Sequence, residues 1–144
     1  RLDAAQHIAC YLDAPRWLPA AGQGAIAVQV RGDDARVRGN AEAMNDEPTM
    51  LAVRAERAFL AALEGGCQVP IGALAMPLAD GSAVLHGMIA DIAGTRVVRG
   101  TITLELGDPE LSGIRLANQL RGEGATEILE ELRRAQHLPS PQPE

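Results

Sequence analysis

The most regular pattern of apolar positions lies between residues 47 and 64. Leu51, Ala55, Ala58, Phe59 and Ala62 recur at helical spacing, while Arg54, Glu56, Arg57 and Glu64 supply polar positions. The spacing predicts a helix, with Asp46 as its cap and Pro48 in its first turn. Gly65 and Gly66 should stop it, because glycine takes left-handed backbone angles cheaply. Three strands are predicted next, at 70–79, 82–91 and 95–105, with Asp80-Gly81 and Ala93-Gly94 as the turns between them. In the third, Val98, Gly100, Ile102 and Leu104 share one face, and Arg96, Thr101, Thr103 and Glu105 keep the other polar. That alternation fits an antiparallel meander with one wet face. Two helices follow. One covers 109–121, with Asp108 as cap, Pro109 at its first position and Gly122 as stop. The other covers 124–136 and carries Ile128, Leu129 and Leu132. The order helix, three strands, two helices gives an α+β domain: a three-stranded antiparallel sheet with helices on one face.

The first forty residues follow no such plan. Leu2, Ala5, Ile8 and Ala9 predict a short helix ending before Pro15, and Cys10 reads as an ordinary thiol on it. Residues 24–31, "GAIAVQVR", read as a strand apolar on both sides as far as Gln29, the pattern of a strand inside a sheet. No partner strand lies near it in sequence, so residues 1 to about 38 are expected to belong to something larger. The terminal "LPSPQPE" is expected to be disordered.

The chain has 144 residues, enough for one ordinary domain. Its core must be largely aliphatic, since Trp17, Tyr11 and Phe59 are the only aromatics; so few argue against a base-stacking nucleic-acid platform. All 13 basic residues are arginine, and the net charge of −6 argues against strong binding to nucleic acid or anionic membranes. There is no 18-residue apolar run. Cys10 and Cys67 stand far apart in sequence, and His7, His86 and His137 are scattered, so neither a disulfide framework nor a metal-ligand spacing emerges. A cytoplasmic location is expected. The chain begins at Arg1, so sequence is expected upstream of it.

Cys67, in "LEGGCQVPIG", has the most pointed chemical context. A buried apolar thiol is one reading. A glycine-flanked loop, however, tends to present its side chains to a cleft. The helix end that precedes it disfavours a thiolate, so an activated nucleophile is a poor fit. Such a thiol suits capture of a very reactive electrophile, or a permanent covalent group. "GQGA", residues 22–25, lacks the Lys-Ser/Thr and following helix of a P-loop and reads first as a tight turn, although the Gln23 amide is within the chemistry of a ligand contact. Glu56 and Arg57 read first as a solvated helix face, and His86 as structural.

Three stretches carry a resemblance. "LPAAGQGAIAVQVR", "AERAFLAALEGGCQVPIGALA" and "GATEILEEL" resemble, in order and spacing, the C-terminal part of the porphobilinogen deaminase (hydroxymethylbilane synthase) family, from about residue 18 to 135. The resemblance implies a transferase of tetrapyrrole and haem biosynthesis that joins four porphobilinogens into hydroxymethylbilane with release of ammonia. It implies a dipyrromethane cofactor held by a thioether on Cys67, with Gly65 and Gly66 in the same loop and Gln23 as a weaker ligand contact. The family's two α/β domains form the cleft, and a smaller α+β domain carries the cysteine. Residues 1–41 would then be a remnant of the α/β domains, 42–137 the cofactor-cysteine domain and 138–144 a tail. Family members are about twice this length, and no residue here matches their catalytic aspartate or arginine-rich segments. No catalytic residue is therefore expected in this chain, which alone should be inactive. Gln29-Val30 stands where the family usually has Glu-Cys. The implied partners are porphobilinogen, the growing polypyrrole and the N-terminal domains; the intact enzyme would be a monomer, while the exposed 18–31 strand would make this chain self-associate. The residues alone leave two other readings open: a non-catalytic α+β ligand- or partner-binding module with a free Cys67, and a thiol redox protein.

Overall fold

The computed structural model describes residues 4–63 and 69–136. Its elements are α1 (Ala35–Glu42), α2 (Glu47–Ala62), β1 (Ile71–Pro77), β2 (Ala83–Ala90), β3 (Val97–Thr103), α3 (Pro109–Leu120) and α4 (Thr126–Gln136). The strands form an antiparallel meander in the order β1-β2-β3, with Ala73 opposite Gly87 and Gly87 opposite Gly100. No described helix is long and apolar enough to cross a membrane.

The caps read from the sequence are present. Thr49 N–H donates to Asp46 at 3.0 Å, and Leu111 N–H to Asp108 at 3.0 Å. Each cap satisfies a donor that the first helical turn leaves without a partner. Both turns between strands place glycine at positive φ, Gly81 at 85° and Gly94 at 68°. The core lies between one sheet face and the helices. Phe59 and Leu63 from α2 and its end, Leu85 and Ile89 from β2, Leu116 and Leu120 from α3, and Ile128 from α4 are essentially inaccessible to solvent. Helices α2 and α3 meet very closely. A Cβ on Gly113 would overlap the Ala55 carbonyl oxygen and lie 2.7 Å from Phe59 N, so only glycine permits this crossing.

Four expectations are corrected. The N-terminal helix is absent as such: only a single 3-10 turn forms at Ala5–His7, and Cys10 lies exposed outside any helix. No described element covers Ile8, Tyr11, Leu12 or Trp17, so the apolar positions that suggested a helix have nothing to pack against. Residues 24–31 form no strand and leave Ile26 93% exposed: the described sheet consists of β1, β2 and β3 alone, and none of them pairs with this segment. The turn after α3 is made by Gly124 (φ 114°), not Gly122; the chain kinks there between α3 and α4. The outer sheet face is also not wholly wet. The segment around Pro15–Pro19 crosses it: Arg99 donates to the Pro15 carbonyl at 3.3 Å, and a Cβ on Gly72 would come within 2.9 Å of Leu18 Cβ.

Helix α1 was not expected. It buries no residue and has no apolar stripe, so it carries no periodic signal; Asp34, which accepts from Val37 N–H at 3.0 Å, was its one readable mark.

Candidate functional site around the 64–68 loop

Glu64, Gly65, Gly66, Cys67 and Gln68 lie outside the described residues, so the expectations placed on Gly65, Gly66 and Cys67 do too. What the structure shows is the frame on either side of them. Before the loop, α2 ends in Leu63, which is fully buried in the core. The Arg121 guanidinium donates to the Ala62 carbonyl at 2.8 Å, so a cation meets the carbonyl-rich, negative end of the helix. After the loop, Val69 packs against the core, Ile71 N–H donates to the Val69 carbonyl at 2.8 Å, and Ala90 N–H donates to the Pro70 carbonyl at 2.9 Å. Leu63 on one side of the five residues and Val69 on the other are thus both held against the core.

A second element is fastened to the same helix. Glu56 is 5% exposed, and its Oε2 accepts Gly22 N–H at 2.7 Å while Oε1 accepts Ala75 N–H at 2.8 Å. The expectation of a solvated Glu56 is thus overturned. At helical spacing Glu56 lies beside the buried Ala55 and Phe59, and backbone donors replace its water. Arg57, its neighbour, is exposed as expected. The edge of β1 is closed by the same arrangement: Ala73 N–H goes to the Pro19 carbonyl at 2.9 Å, Ala75 N–H goes to Glu56, and Pro77 has no N–H to offer.

The Gly22-Gln23-Gly24 turn is a closed unit. Gln23 N–H donates to the Ala20 carbonyl at 3.0 Å, and Ala20 N–H donates to Gln23 Oε1 at 3.1 Å. Gly22 and Gly24 hold φ of 73° and 88°. The Gln23 side chain is exposed with its amide NH2 available, so the tight-turn reading and a ligand contact are compatible. His86 lies on the opposite, outer sheet face; its Nδ1 is 2.9 Å from Thr101 Oγ1, and burial pushes its pKa down. It is not brought near the loop frame. Glu56 and Arg121 are the site residues that the sequence reading missed. Glu56 had one available signal, an acidic residue flanked by apolar positions on the helix face; Arg121 had none, because its acceptor is 59 residues away in the chain.

Comparison with known proteins adds two collinear family matches. Residues 50–122 match the porphobilinogen deaminase C-terminal domain, and residues 1–39 match the porphobilinogen deaminase dipyromethane cofactor binding domain. The chain is 51% identical over 116 residues to the porphobilinogen deaminase of Moorella thermoacetica, covering 81% of this chain and 37% of that protein. It is 43% identical over 132 residues to that of Synechococcus elongatus, covering 92% and 41%, and 42% identical over 135 residues to that of Syntrophobacter fumaroxidans, covering 94% and 43%. The chain therefore spans about two fifths of the length of these relatives.

Proposed function

The chain belongs to the porphobilinogen deaminase family, and from that premise we propose that it is the cofactor-cysteine part of a hydroxymethylbilane synthase. The observation that carries the proposal is the match over residues 50–122, which runs straight through the 64–68 loop and both of its anchors. In this reading residues 42–137 are the domain that carries the cofactor cysteine, residues 1–41, of which 1–39 match the family's cofactor binding domain, belong with the α/β domains, 138–144 form a tail, and the protein works in the cytoplasm. Its substrates are porphobilinogen and the growing polypyrrole.

Cys67 is the proposed attachment point, Gly65 and Gly66 shape its loop, and Gln23 is a weaker contact. A thiol is the donor that a thioether requires. Leu63, Arg121 and Val69 fit a loop that must hold a bound group in one place. When bound, a dipyrromethane supplies the primer on which a tetrapyrrole is extended. This chain's own residues anchor the loop from both sides and keep α2 and the Gly22–Gly24 turn in fixed relation. The proton transfers of the reaction are assigned to the part of the family's length that the chain does not span, where the resemblance places the catalytic aspartate.

The test is a comparison of this chain with a longer protein that includes it. The longer protein is expected to consume porphobilinogen and to carry one dipyrromethane by intact mass. Cys67→Ser in it should lose both, and the 144-residue chain alone should give no turnover. Full activity in the Cys67→Ser protein would sink the proposal.

A further inference from the structure

Burying a carboxylate is costly unless hydrogen bonds replace its water. Glu56 has two such bonds, both from backbone N–H groups, and among the described residues no arginine pairs with it. The two donors belong to separate parts of the chain. Ala75 sits on the edge of β1, in the α+β domain, whereas Gly22 opens the Gly22–Gly24 turn in the N-terminal segment. The Gly22 N–H has no backbone acceptor among the described residues, so the carboxylate is its partner. The turn is also closed on itself through Ala20 and Gln23, so it moves as one piece, and a clamp at Gly22 fixes Gln23 with it. Glu56 projects from α2 about two turns before the loop that contains Cys67.

We propose that Glu56 is a positioning residue whose carboxylate locks the Gly22–Gly24 turn, and Gln23 with it, to the helix that leads into the Cys67 loop. The proposal rests on the reading above for the roles of Gln23 and Cys67, but the clamp itself is a property of this chain and is measurable without turnover. A solvated glutamate would leave the turn held to β1 through the Pro19 carbonyl and to the core through Ala21. With the carboxylate in place, turn, sheet edge and helix share one charge-assisted junction.

Amide hydrogen exchange by NMR on the 144-residue chain tests it. In the unaltered chain the Gly22 and Ala75 amides should both be protected; a Gly22 amide exchanging at the rate of an unprotected loop overturns the proposal whatever any variant does. In Glu56→Leu, of similar size, both acceptor oxygens are lost and the Gly22 N–H has no partner. Exchange at Gly22 should then rise at least about tenfold, as expected for loss of a bond to a charged acceptor, while the β2–β3 ladder amides keep their rates. Unchanged exchange at Gly22, or equal acceleration through the whole sheet, would show that Glu56 serves only general stability. Cys67→Ser in the same chain should leave the Gly22 rate unaltered. An inactive longer protein would count against the enzymatic reading and would leave these rates, and the clamp, as they are.

Discussion

Asp91 closes the turn between β2 and β3. Its Oδ1 accepts Thr95 N–H at 2.8 Å and its Oδ2 accepts the Thr95 hydroxyl at 2.6 Å. The Thr95 hydroxyl bond is the main reason that its carboxyl is held down to about 2, with backbone bonds from Arg96 and Thr95 adding to it. A lowered folded pKa means that the folded state prefers the ionised form. The stability this confers is present above the unfolded value of 3.8 and is lost as pH falls through about 2. Asp91→Asn should therefore be less stable than the unaltered chain at pH 6, and the two urea midpoints should converge as the pH falls from about 4 to 2. Parallel curves across that window would refute the assignment. The reading of Ala93-Gly94 as a turn was available in the sequence. The carboxylate that closes it was not singled out there, because an Asp four residues before a Thr is common and gains meaning only once the strands face each other. Glu56 was read as solvated for a related reason: its two donors lie 34 and 19 residues away.

At the scale of elements, the linker between α3 and α4 separates propensity from geometry. The sequence reading placed the helix stop at Gly122, yet of the two glycines only Gly124 takes a positive φ, 114°. A Cβ at Gly124 meets nothing closer than 3.8 Å, so the obstacle there is backbone strain and not space, and a Cβ at Gly122 meets nothing within 4 Å. Gly124→Ala should cost about 1–2 kcal/mol, whereas Gly122→Ala should be neutral or stabilise by up to about 1 kcal/mol. Paired denaturant titrations check this, and equal effects at the two positions would contradict the turn as described. Elements whose apolar residues repeat with a regular period were legible: α2, the three strands, α3 and α4 all formed within a few residues of expectation. Helix α1 was not legible, because a helix that buries nothing leaves no period to read. The 24–31 strand was legible as an apolar run but not realised, since a strand exists only with a partner edge.

At the scale of the whole molecule, that same run leaves apolar surface uncovered. Ile26 is 93% and Val28 59% exposed, and Trp17 and Tyr11 add to the apolar surface of the N-terminal segment. A contiguous exposed apolar segment with unpaired backbone favours association. Sedimentation of the 144-residue chain should show self-association, and Ile26→Lys should weaken it; a clean monomer at high micromolar concentration would rule it out. By itself, the sequence determined the α+β class, the caps, the meander and the family, because helix and strand periods, cap chemistry and a run such as "EGGCQVPIG" are local properties of neighbouring residues. Only the tertiary structure decided that Glu56 is buried between Gly22 and Ala75, that Arg121 closes the end of α2, and that the N-terminal segment crosses the outer sheet face. Each of those depends on groups distant in sequence meeting in space, and the free energy of such a meeting comes from displaced water and paired backbone groups that no local pattern records.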